Sequence, residues 1–160
     1  MSSPNANWDR WIFASISKHF VDNLAATAKV FIEGQKRDTR KETEWFEVRV
    51  DGPFYTEISK GYFSLYVEIN ILCACIMKDV NIQGIRSLAG KAASAMTTAI
   101  VVYKYGTGVS DDQSILGCLT SVTKSRGKDR IQTNHFGQIG PNTELTQATV
   151  ECHYKMELEA

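Results

Sequence analysis

The sequence predicts an α+β protein: a mostly antiparallel β-sheet with two α-helices packed on one face. Three observations carry this. Tyr62–Ile76 and the closing run Thr143–Glu159 both alternate apolar and polar residues with a period of two, the period of a strand. Two other stretches repeat apolar residues every three or four positions, the period of a helix. The order is one helix, three or four strands, a second helix and four strands, which suits helices gathered on one face of an antiparallel sheet.

Tyr62–Ile76 (YFSLYVEINILCACI) is the stretch around which the rest is organised. Phe63, Leu65, Val67, Ile69, Ile71, Cys73 and Cys75 fall on one side. Tyr62, Ser64, Tyr66, Glu68 and Asn70 fall on the other, giving way to Leu72, Ala74 and Ile76. The C-terminal end is therefore expected to be covered on both faces. At ~3.3 Å per residue the strand would reach roughly 50 Å, so it is expected to bend or to run past its own domain towards a neighbour.

In chain order, Trp8, Trp11, Ile12, Ile16, Phe20 and Leu24 make the stripe of a first helix, with Asp9, Arg10, Lys18 and Asp22 largely on the opposite face. Asn5 or Asn7 can cap it. Two tryptophans on one stripe are expected to anchor a core. Lys29–Glu33 reads as a short strand ending at Gly34. Gln35–Glu44 (QKRDTRKETE) is charged, without apolar residues, and reads as an exposed mobile loop between two strands, a solvated hairpin tip or an arm that orders against another subunit. Trp45–Val50 is the next strand. Asp51-Gly52-Pro53 marks a turn, and Phe54–Ser59 a short extended piece. Asp79 or Asn81 can cap a second helix over Ile82–Thr98, whose apolar face is Ile82, Ile85, Leu88, Ala89, Ala92, Ala93 and Met96. Its small residues let it sit close on a sheet. Ile100–Tyr105, Ser114–Thr123 and Arg130–Gln138 read as strands. In the last strand Ala148, Val150, Cys152, Tyr154, Met156 and Leu158 face one way. Gln147, Thr149, Glu151, His153, Lys155 and Glu157 face a wet side.

Composition narrows the function. A chain of 160 residues with 43% apolar residues suits one folded domain. Its 18 Lys and Arg balance 18 Asp and Glu, so no global charge recruits nucleic acid or an anionic membrane. No apolar run is long enough to span a bilayer, and the first residues lack the basic and apolar regions of a signal peptide. Folding in a cytosol is expected. Cys73 and Cys75 share the apolar face and read as buried thiols; a lone C-x-C pair is a weak zinc signal, and neither metal nor disulfide is expected.

No motif for bond-making chemistry emerges. Gly106-Thr107-Gly108 follows a strand, but Asp111 stands where a dinucleotide fingerprint needs glycine. No phosphate loop, metalloprotease pair or nucleophile elbow is present. His153 and Cys152 are expected on opposite faces, which argues against a dyad between them. The expectation is a protein that is not an enzyme and holds no cofactor. Lys124, Arg126, Lys128 and Arg130, spaced two apart, would form a basic row if extended, although Gly127 favours a turn that splays them. A small ligand-binding domain or enzyme with a pocket near 106–112 is the competing reading from another class, and a nucleic-acid-binding module using Lys124–Arg130 a third.

The order of elements resembles the tail terminator proteins of long-tailed bacteriophages and the wider group of neck and tail-tube proteins. Ser59-Lys60-Gly61-Tyr62 leading into YVEINILCACI carries the likeness. So do Tyr105-Gly106-Thr107-Gly108 with Asp111-Asp112, Ile115-Leu116-Gly117-Cys118-Leu119 and the closing Val150–Leu158. It covers nearly the whole chain as architecture. The resemblance implies a virion protein, assembled in the host cytoplasm, that forms a hexameric ring on the tail tube and ends its polymerisation. It implies contact with the tail tube protein and the head–neck connector, and passage of DNA through the ring without specific binding. The tube protein itself, or another neck protein, is the alternative within that group. Ring contacts are expected from Lys36, Arg37, Asp38, Arg40, Lys41 and Glu42 in the charged loop, and from Lys124, Arg126, Lys128 and Arg130. The cysteines are not explained by the resemblance.

Overall fold

The computed structural model describes residues 2–76, 82–105, 114–122, 131–138 and 145–160, with the backbone alone at 82, 83, 137 and 138. The proposed caps Asp79 and Asn81, the Gly106–Asp112 loop and the Lys124–Arg130 row lie outside them. The described elements are α1 (Trp8–Leu24), β1 (Lys29–Ile32), β2 (Glu44–Ser59), β3 (Tyr62–Ile76), α2 (Ile82–Met96), β4 (Ile100–Tyr103), β5 (Ile115–Val122), β6 (Ile131–Gln138) and β7 (Leu145–Glu159). This is the expected α+β fold with a mostly antiparallel sheet, in the order β1-β2-β3-β7-β5-β4, with β6 also paired to β7. None of the described helices is long and apolar enough to cross a membrane.

β3 and β7 form the central pair, in register from Tyr62 opposite Glu159 to Ile76 opposite Leu145. That register sets Phe63 on Leu158, Leu65 on Met156, Val67 on Tyr154 and Ile69 on Cys152, so the apolar sides of both strands make one continuous surface. Both helices pack on it. From α1, Trp8, Ile12, Ile16, Phe20 and Leu24 are buried; from α2, Ile85, Leu88, Ala89, Ala92 and Met96. The Tyr154 hydroxyl donates to the Met96 carbonyl at the end of α2 over 2.7 Å, both within the core. Asn7 occupies the N-cap position of α1 without a side-chain cap bond; Asn5 instead accepts from the Asn7 N–H at 2.9 Å.

Three expectations are corrected. First, β1 and β2 are parallel, Lys29 opposite Trp45 and Ile32 opposite Val48, so Gln35–Glu44 is no hairpin tip. Residues 33–43 instead carry the chain back along β1 before β2 begins, as a parallel pair requires. Gly34, at φ 85°, starts the return, and Thr43 finishes it, its carbonyl accepting from the Ile76 N–H at 2.8 Å. Second, Asp51-Gly52-Pro53 does not end a strand. β2 continues to Ser59, and the ladder with β3 absorbs the irregularity as a register shift between Asp51 and Phe54. Gly52 sits at φ 102° there, a conformation a side chain would resist. Third, His153 is on the outer face of the sheet as expected, yet it is buried, under Tyr66.

Beyond β1, the edge of β2 is partly capped. The ladder ends with the Glu33 N–H on the Val48 carbonyl at 3.0 Å. The next free donor, the Val50 N–H, goes to the Glu33 carboxylate at 3.0 Å. A side chain thus substitutes for the missing strand neighbour, one of the ways a sheet edge is blunted.

Candidate functional site

The helices cover one face of the sheet; the other face is where the exposed chemistry lies. Its residues follow from the register. Trp45, Glu47, Arg49, Asp51, Phe54 and Thr56 of β2 stand beside Ala74, Leu72, Asn70, Glu68, Tyr66 and Ser64 of β3. Those in turn stand beside Gln147, Thr149, Glu151, His153, Lys155 and Glu157 of β7. Alternation in the strands puts all of these on the side away from the helices.

The two ends of this outer face differ. At the β1 end, Phe31, Trp45 and Ala74 are buried together with Leu145 against them, so the expected cover on both faces of the C-terminal part of β3 is met at Ala74, while Leu72 is half-buried and Ile76 exposed. Residues 33–43 stand beside this patch. Arg37 pairs with Glu47, whose carboxylate also accepts from the Trp45 indole N–H at 3.0 Å. Arg40 makes a two-pronged contact with Asp38 at 2.8 and 3.0 Å, which holds the Asp38 carboxyl below its ordinary range. Between this segment and the sheet lies a groove of about 460 Å³, lined among others by Arg37, Glu47, Arg49, Asn70 and Leu72. Its lining mixes charged residues of both signs with the apolar Phe31, Ile32, Val48 and Leu72.

The hairpin end, where β2 turns into β3, is open. Ser59 pairs with Tyr62 across Lys60-Gly61, and Gly61 takes φ 80° in the turn. The Glu57 carboxylate accepts from the Gly61 N–H at 3.3 Å and from the Ser2 N–H at 3.2 Å, bonds that hold its carboxyl below the usual range. On the inner side Trp8 fills the space beneath the hairpin, edge-on to Phe63 at 5.7 Å and tilted on Tyr55 at 6.0 Å. On the outer side Phe54 is 53% exposed and Tyr62 47%, and Ile58 near the turn is 57% exposed. An aromatic row leads inward from Phe54 to Tyr66 at 6.3 Å and on to His153 at 5.3 Å. The Tyr66 hydroxyl is hydrogen-bonded to Nδ1 of His153, and Glu68 Oε1 lies 3.5 Å from the same nitrogen. Burial, and then the Glu68 charge, push the Tyr66 phenol up.

Of the sequence-derived contact residues, Lys36, Arg37, Asp38, Arg40, Lys41 and Glu42 fall together on the 33–43 segment, and all but Glu42 are exposed. Lys124, Arg126, Lys128 and Arg130 lie outside the described residues. Sequence reasoning missed the hairpin residues Phe54, Ile58 and Tyr62 and the Tyr66–His153–Glu68 contact. The signal for the first was present: Phe54 and Tyr62 stand on the polar side of alternating strands, where apolar residues are out of place, and Ile58 and Tyr62 lie beside a two-residue turn. The second joins positions far apart in the chain and had no local sign.

The four cysteines are free; Cys73, Cys75 and Cys152 are buried and Cys118 is exposed. Burial pushes the Cys73 thiol up to about 12, so it is neutral and inert. Among the described residues no group of three His, Cys, Asp or Glu is placed to hold a metal ion. No protein-family model matches the chain, and no curated protein matches it.

Proposed function

We propose that the protein is a ring-forming structural component of a long-tailed bacteriophage virion, a tail terminator that caps the tail tube, ends its polymerisation and joins it to the head–neck connector. The observation that carries this reading is the outer sheet face. One end exposes Phe54, Ile58 and Tyr62, and the other carries the charged 33–43 segment. A subunit with two unlike surfaces can repeat head to tail and close into a ring when the rotation permits. Exposed apolar residues grouped at one place mark an interaction surface better than the same residues scattered. The helix-covered face, by contrast, is filled with the chain's own core. The likeness in element order to tail terminators supplies the identity of the ring. A hexamer, the tail tube protein as partner, and a channel through which DNA passes without specific binding follow from that likeness.

The test is assembly. Purified protein mixed with tail tubes is expected to add one ring at the tube end and to stop further growth, seen by electron microscopy. Long tubes formed by the protein alone would replace the terminator with the tube protein of the same group. A particle that stays monomeric both alone and with tubes, and leaves tube growth unchanged, would end the reading.

A further inference from the structure

We draw no further inference here: the strongest candidate, the exposed apolar patch of Phe54, Ile58 and Tyr62 on the β2–β3 hairpin, carries none because nothing in the structure shows what covers it.

Discussion

Replacing Trp8 with alanine isolates the element that supports the hairpin. Trp8 is 2% exposed and sits edge-on to Phe63 and tilted on Tyr55. A buried tryptophan removes about 150–250 Å² from water. At about 25 cal/mol per Å² that is roughly 4–6 kcal/mol, and core Trp-to-Ala changes cost about 3–5 kcal/mol. We expect a loss of about 4 kcal/mol. For a chain of this size that lowers Tm by roughly 8–16 °C, at about 2–4 °C per kcal/mol. Urea denaturation followed by circular dichroism gives the free energy, and a calorimetric scan gives Tm. The same stripe supplies an internal contrast. Trp11 is only half-buried and donates its indole N–H to the Tyr105 carbonyl at 2.7 Å. Trp11→Phe keeps most of the ring and loses that bond, for about 1 kcal/mol. A Trp8→Ala loss below about 1 kcal/mol, or one no larger than that of Trp11→Phe, would refute the placement of Trp8 beneath the hairpin.

Other consequences are as direct. Tyr154→Phe should cost about 1–3 kcal/mol in urea melts, because it leaves the buried Met96 carbonyl without its donor. Gly52→Ala should destabilise by about 1–3 kcal/mol, since a Cβ at φ 102° would also stand 3.0 Å from the Tyr66 carbonyl oxygen; a neutral result would place that turn in another conformation. Under native conditions a thiol reagent at pH 8 should label Cys118 and spare Cys73, Cys75 and Cys152 until denaturant is added, as peptide mass mapping would read. Cys73 also gives a pH signature. Its ordinary value of 9.0 is raised to about 12 by burial, so its contribution to stability is full below pH 9 and is lost as pH rises towards 12. Cys73→Ala should flatten that alkaline decline, and an unchanged pH profile would contradict the burial of the thiol.

Apart from Trp11 and Ala93, expected on the stripes yet half-buried, and Ser15 and Ala95, buried off them, the sequence set which side of each long strand is dry and which described residues of each helix are buried. Those facts are periodic, and a period of two or of three to four residues is fixed by local backbone geometry alone. The Trp8–Leu24 stripe, the Phe63–Cys75 face and the Ala148–Leu158 face were legible for that reason, and each lines the core. The six charged residues of 36–42 were also legible as a group exposed but for Glu42, because a run without apolar residues has nothing to bury. The tertiary structure alone decided what lies beside what. Alternation in β1 and β2 is the same whether they pair parallel or antiparallel, so the charged run read as a tip when it is a return. His153 has the position of a wet-face residue, and only the β3–β7 register brings Tyr66 and Glu68 over it. Pairing is chosen by contacts between distant residues, and periodicity holds no record of the partner.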